Sequence, residues 1–142
     1  MVLIPWEFED NGYRFERLDD FAKGAVGFIY EIEFNNGKKY LGRKALYHKR
    51  TMRPLKGKKR KRVKMVESNW KDYLGSFKNQ GLKEKIKTGE IYPVRRAIIT
   101  VCYDAWQMTY FETKYLFVRD CLLDDNYYNN NILGKFYKPE RK

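Results

Sequence analysis

Two tyrosines ten positions apart carry the first chemical hint in this chain of 142 residues: Tyr30 closes the triplet Phe28-Ile29-Tyr30, and Tyr40 opens Tyr40-Leu41-Gly42. Directly after Gly42 a run of positive charge begins, and farther on Glu112 is the only acid near the middle of a segment with an apolar stripe. Hydrolysis of a phosphodiester needs an activated water, a cation facing the pentacovalent phosphorus and stabilisation of the leaving oxygen. These residue types suit that set. A lone carboxylate such as Glu112 can hold one Mg²⁺ (or Mn²⁺), an ion that keeps several of its waters, and the metal acts as Lewis acid and leaving-group stabiliser. A phenol has a reference pKa of about 10, so a tyrosine serving as general base must be depressed by neighbouring cations. Lys44, Arg43 and Arg50 are near enough in sequence to do this.

The phenols must also be brought to one side of their scaffold. From Val26 to Phe34, Phe28, Tyr30, Ile32 and Phe34 alternate with Glu31 and Glu33, which predicts a strand with one buried face. Asn35-Asn36-Gly37 predicts a turn, and Lys38 to Arg43 the returning strand. A two-residue turn at Asn36-Gly37 would put Tyr30 and Tyr40 on opposite faces. A three-residue loop with Gly37 in the left-handed region pairs Phe34 with Lys38, Ile32 with Tyr40 and Tyr30 with Gly42, so that both phenols leave one face. That second register is the expectation, with Glu112 approaching the same face from a long helix.

The long helix is marked by Asp104 and Gln107, a capping box, and by Met108, Phe111, Tyr115, Val118 and Leu122, a stripe of about five turns. Ser68 predicts the cap of an earlier helix carrying Trp70, Tyr73, Leu74 and Phe77 and ending near Gly81; a short helix from Leu82 to Thr88 stops at Gly89. Val94 to Cys102, rich in β-branched residues, reads as a third strand, and the tail from Asn126 to Lys142 has little periodicity. The predicted fold is α+β: a small, three-stranded, mainly antiparallel sheet flanked by helices, with a long basic loop inserted.

Charge narrows the partner. Lys and Arg total 30 against 18 Asp and Glu, a net charge of +12, which favours a polyanion. Twelve of the basic residues lie between Arg43 and Val66 with no acid among them, so this segment accounts for the whole excess. Containing Pro54 and Gly57, it reads as a solvated arm over 43–64. Twelve such charges are costly unless a polyanion is the partner, and Arg43, Lys44, Lys49, Arg53, Lys58, Lys59, Arg60, Lys61 and Arg62 are the set that would bind it. No apolar run approaches the ~18 residues of a spanning helix. The acidic N-terminal stretch lacks a signal-peptide pattern, which predicts a cytosolic protein. Cys102 and Cys121 stand in no CxxC frame and His48 is the one histidine, which disfavours a structural zinc site, a Ser-His-Asp triad and a Cys-His pair.

The ordered set of motifs resembles the GIY-YIG nuclease superfamily. Phe28-Ile29-Tyr30 matches the first signature, with Phe28 where the family has its first glycine, and Tyr40-Leu41-Gly42 matches the second, with leucine for isoleucine. Arg50, eight residues beyond Gly42, Glu112 on a later helix and Asn129 after it complete the set. Tyr40-Leu41-Gly42-Arg43-Lys44, a basic loop, the stretch from Glu67 to Ser76 and a final Tyr128-Asn129 are similar to the phage Seg-like branch of free-standing homing endonucleases. The resemblance implies a metal-dependent endonuclease acting on DNA, expected to be double-stranded, and leaving a 5′-phosphate. It implies a catalytic Tyr30 or Tyr40, Arg50 or Lys44 on the scissile phosphate with Arg43 and Arg96 as other sources of that charge, Glu112 as metal ligand and Asn129 as a supporting hydrogen-bonder. One nuclease domain over 1–142 is expected, its core about 26–135 and its arm 43–64.

Two other classes fit parts of the chain. A non-catalytic nucleic-acid-binding protein would use hairpin and arm as a clamp, with the tyrosines as stacking or core residues. A protein-interaction module would use Trp6, Phe8, Tyr13 and Phe15 as exposed aromatics.

Overall fold

The computed structural model describes residues 4–140. The hairpin of β3 (Gly27–Phe34) and β4 (Lys39–Ala45) forms one side of its main sheet. The loop has three residues: Phe34 N donates to Lys38 O at 2.8 Å, Gly37 sits at φ +82°, and Asn36 Oδ1 accepts from Lys38 N at 3.0 Å. Ile32 therefore faces Tyr40, and Tyr30 faces Gly42, the register that puts both phenols on one face.

Strand β7 (Pro93–Cys102) runs antiparallel to β3 along its whole length. Beyond it the sheet continues where only three strands were expected. Strand β1 (Trp6–Phe8) pairs parallel with β7, and β2 (Arg14–Phe15) pairs antiparallel with β1, giving a mixed five-stranded sheet in the order β2-β1-β7-β3-β4. Strands of three and two residues are too short to show alternation, and burial holds β1 instead: Trp6 is 1% exposed. Trp6 and Phe15 thus belong to the core, so the expected row of exposed aromatics reduces to Tyr13 and the half-buried Phe8.

Both faces of the sheet are covered. On one, Phe28, Tyr30, Ile32 and Phe34 pack with Trp6, Leu46, Trp70 and Ile98. On the other, Ile29 and Leu41 pack with Met108 and Leu116 of α2 (Ala105–Val118) and with Cys121, Leu122 and Tyr127. Glu31, expected to face water, is consequently buried, and it is compensated: Arg119 pairs with it at 3.0 Å while also holding Glu9 at 2.5 Å, and the Tyr127 hydroxyl donates to Glu31. A buried carboxylate persists only where such partners replace water.

The helix expected from Ser68 is absent. Ser68 Oγ donates to Ala45 O at 2.6 Å instead of capping, a 3-10 turn covers Trp70–Asp72, and the chain then runs without regular structure to Asn79, through Gly75 at φ +109°. The aromatic spacing serves a strand's neighbour. Trp70 packs on Phe28, Tyr73 on Tyr30 and Phe77 on Phe34, so the segment lies along β3 and lays one ring on each of its inward aromatic side chains. Arg96 holds it there, donating to the carbonyls of Lys71 at 2.7 Å and Tyr73 at 3.1 Å.

The remaining helices follow their caps. Helix α1 (Gln80–Thr88) has Asn79 accepting from Leu82 N at 3.1 Å and ends at Gly89, φ +84°. Helix α2 has Asp104 accepting from Gln107 N at 2.7 Å. It ends at Val118, a turn short of the expected stripe, because Asp120 turns the backbone to φ +51°; Leu122 reaches the core from beyond the helix, and Val118 is exposed.

The basic segment is a two-stranded ribbon, where a loop was expected. Strands β5 (Tyr47–Met52) and β6 (Arg62–Glu67) form a sheet of their own, joined by residues 53–61. Its base is fixed by buried Leu46, which bonds Val26 O through its N–H and accepts from Ser68 N at 2.8 Å. The tail forms a small hairpin of β8 (Asn131–Ile132) and β9 (Phe136–Tyr137). Among the described residues no helix is long and apolar enough to cross a membrane.

Candidate active site

The hairpin sets Tyr30 and Tyr40 side by side, their ring centroids 6.3 Å apart. Tyr73 joins them from the segment along β3, 5.8 Å from Tyr30. Tyr40 Oη donates to Ser76 O at 3.1 Å, and Tyr73 shares a hydrogen bond with Ser76 Oγ. Gly42 makes the arrangement possible. A Cβ built on it would lie 2.6 Å from Tyr30 Oη and 2.9 Å from Cζ, so the signature glycine is the space the phenol occupies.

The depression that a tyrosine base would need is absent. Burial, then the neighbouring phenols of Tyr73 and Tyr40, raises Tyr30 well above the usual tyrosine range, and burial pushes Tyr40 up to about 12. Both are protonated hydrogen-bond donors at neutral pH as the site stands.

The cations divide around the edge strand β4. Lys44 shares the phenol face: its Nζ donates to Asn69 Oδ1 at 2.7 Å and lies 4.2 Å from the centre of the Tyr73 ring, and burial lowers its pKa. Arg43 turns to the α2 side, donating to Thr109 Oγ1 at 2.8 Å with its Nε 3.7 Å from Glu112 Oε1. Helix α2 thus packs on the face opposite the phenols, and Glu112 reaches the site around the sheet edge instead of over the phenol face as expected. Its charge still acts on both phenols, adding to their upward shifts. One open cleft of about 510 Å³ joins the two sides, lined by Arg43, Lys44, Tyr73, Met108 and Thr109 among others.

Glu112 is itself perturbed. Burial raises its pKa and Arg43 lowers it, with burial the larger effect. Arg96, considered as a source of charge for the phosphate, is spent on structure: buried to 3% exposure, it donates to the carbonyls of Ile4, Lys71 and Tyr73 and stacks on Trp6 at 4.6 Å. Arg50 stands on the ribbon opposite Lys64, exposed, four residues past the Leu46 anchor. Lys49, Arg53 and Lys58 to Arg62 are exposed there too.

Asn129 supports the site through the backbone. The chain from Asn126 runs beside β4, taking Lys39 N on Asn126 O at 2.6 Å and giving Tyr128 N to Lys39 O at 2.8 Å. The Asn129 carboxamide then continues this pairing in place of a peptide unit: Leu41 N donates to Oδ1 at 3.0 Å, and Nδ2 donates to Leu41 O at 2.7 Å. Leu41 lies between Tyr40 and Gly42, so the side chain fixes the strand that presents the phenols.

The family model described as "Putative endonuclease segE, GIY-YIG domain" matches residues 6–132. The chain belongs to the GIY-YIG nuclease superfamily, in its Seg-like branch. No curated protein and no solved structure matches it. The GIY-YIG match begins at Trp6, so it takes in β1 and β2 as well as the signature hairpin.

Two expected results test this GIY-YIG hairpin. Gly42→Ala forces the added methyl into Tyr30, and overpacking of this kind costs about 1–3 kcal/mol, read as a lower midpoint in urea. Asn129→Ala leaves the Leu41 N–H and C=O, both buried, without partners, at roughly 1–3 kcal/mol for each group. Cleavage should fall with it, since β4 is released at the signature.

Tyr73, Asn69, Ser76 and Thr109 escaped the sequence reading. Asn69, Tyr73 and Ser76 lay in the stretch from Glu67 to Ser76 that carries the resemblance, and Tyr73 also in an apolar stripe, but none was given a role at the site; Thr109 was marked by nothing.

Proposed function

We propose that this GIY-YIG protein is a divalent-metal-dependent DNA endonuclease, one domain over 1–142, that hydrolyses double-stranded DNA to leave a 5′-phosphate and serves a homing-like role. The observation that carries the reading is the meeting of Glu112, Arg43, Lys44 and the three phenols around one strand edge, with the basic ribbon rooted at Leu46 beside them.

Among the described residues no group of three or more His, Cys, Asp or Glu is arranged to hold a metal. Glu112 fits a single-carboxylate site: it is a hard oxygen donor whose burial outweighs its one cationic neighbour, so a bound cation would supply the missing compensation. Held there, Mg²⁺ or Mn²⁺ would supply Lewis acidity to the phosphate and the leaving oxygen. The chain does the positioning. Lys44 and Arg43 face the phosphate from either side of β4 and oppose its growing charge. Tyr40 and Tyr73 turn their hydroxyls from Ser76 to donate to its oxygens, and Tyr30 holds them in place from the core. Asn129 keeps β4 in register, and Arg50, out on the ribbon, acts in DNA binding.

Nicking of supercoiled plasmid in Mg²⁺, with an EDTA control and mapping of the new ends, tests the reading; a folded protein that binds DNA and leaves it intact in Mg²⁺ and Mn²⁺ rejects it. The upward shifts of the phenols favour one rival, a non-catalytic DNA clamp, and the same assay separates the two.

A further inference from the structure

The ribbon sorts its residues by face. Cross-strand partners share a face, so Arg50, Lys64 and Arg62 lie together with His48, and no acid joins them. The other face carries Tyr47, Thr51, Val63 and Met65 with a single cation, Lys49, and Glu67, whose carboxylate accepts from Trp70 Nε1 at 2.9 Å. Arg50 stands directly opposite Lys64, a like-charged pair that destabilises a ribbon by itself. An isolated two-stranded hairpin is already marginal in water. The cationic face therefore fits a polyanion laid against it.

We propose that β5 and β6 lie in the major groove of the DNA with the Arg50–Lys64 face against the base edges, an inference that rests on the DNA-cleaving reading above. In undeformed B-DNA a major groove about 12 Å wide and 8.5 Å deep admits a two-stranded ribbon, whereas strands enter the minor groove, about 6 Å wide, only by widening it and bending the duplex. Arg and Lys are the side chains that pair with guanine O6 and N7, the commonest base-specific interaction. The cations of residues 53–61 then reach the phosphates at the rim, where they hold without reading sequence. Six residues per strand span roughly 20 Å, or about six base pairs. Because the ribbon is rooted at Leu46 beside the Lys44 cleft, base preference falls on one side of the cut and within about that distance.

The test uses the full chain in EDTA with a pool of labelled duplexes. Methyl green, a major-groove ligand, is expected to displace the protein and netropsin, a minor-groove ligand, to leave it bound. Methylation of guanine N7 should interfere at sites on one side of the mapped cut. Arg50→Lys keeps the charge and loses the paired donors, so it should flatten the preference at one position by roughly tenfold and leave the salt dependence unchanged. Lys58→Gln with Lys59→Gln should weaken all duplexes alike. Displacement by netropsin, interference at adenine N3, or an Arg50→Lys protein with full preference overturns the groove placement and leaves the nuclease reading standing. Failure to bind any duplex overturns both, and circular dichroism confirms that each variant is folded.

Discussion

Replacing Glu112 by glutamine is expected to lower cleavage by at least about a hundredfold, the scale on which loss of one transition-state stabilising group is felt, while DNA affinity changes no more than a few-fold. In the proposed function phosphate binding belongs to the ribbon, so affinity survives. A second readout separates a functional carboxylate from a structural one. Burial raises the Glu112 pKa above its ordinary value of 4.5, against the pull of Arg43. The folded state then holds the proton more tightly than the unfolded state, so this group's contribution to stability is whole below the ordinary carboxylate range and is lost as pH rises through the folded pKa. Glutamine escapes that loss. The Glu112→Gln protein should melt above the parent at pH 8, and the gap should close as the pH falls below about 4. A structural carboxylate paired with Arg43 predicts the reverse, a variant that melts lower at neutral pH. Undiminished Mg²⁺-dependent cleavage by the folded variant would falsify the assignment.

Neutralising Lys58, Lys59, Arg60, Lys61 and Arg62 together should weaken binding by roughly 10²–10³-fold at physiological salt, and equally for all sequences save at the base that Arg62 faces beside Lys64. Each phosphate that the protein no longer neutralises takes ~0.9 off the slope of log affinity against log salt, so three to five such phosphates lower its magnitude by about 3 to 4. Fluorescence anisotropy over a salt series measures it, and an unchanged slope makes the ribbon a bystander. The substitution also relieves self-repulsion, since these cations crowd the turn and one strand end of an element with no second layer under it. Weaker binding by a protein that is still folded is therefore the expected pairing.

The hairpin was legible because its register is local. Gly37 dictates the loop, the loop dictates the pairing, and the pairing puts Tyr30 beside Tyr40. Helix α2 was legible in its cap at Asp104 and helix α1 in its end at Gly89, where one side chain or one positive φ decides the boundary, whereas the Asn79 cap was hidden inside the helix expected to run to Gly81. What failed was spacing without context. Trp70, Tyr73 and Phe77 recur as helix residues do, but their spacing matches the rows of β3, and tertiary packing overrode the local preference. The ribbon showed no apolar period because neither of its faces is a core. At the site, Glu112 and Asn129 were marked by the resemblance, but Asn129 acts on a peptide unit of Leu41, which no pattern of side chains announces.

That carboxamide also gives the site a clock. The two signature strands close over a three-residue loop, an event of microseconds, whereas the group that secures their outer edge lies 88 positions downstream of Leu41. At roughly 5–20 residues added per second during synthesis, the hairpin waits for several seconds or more with that edge open. The ribbon is complete long before. On the function proposed above, a nascent chain thus acquires its DNA-binding ribbon early and its finished cutting site late, and among the residues placed at that site the last to arrive brings a single amide.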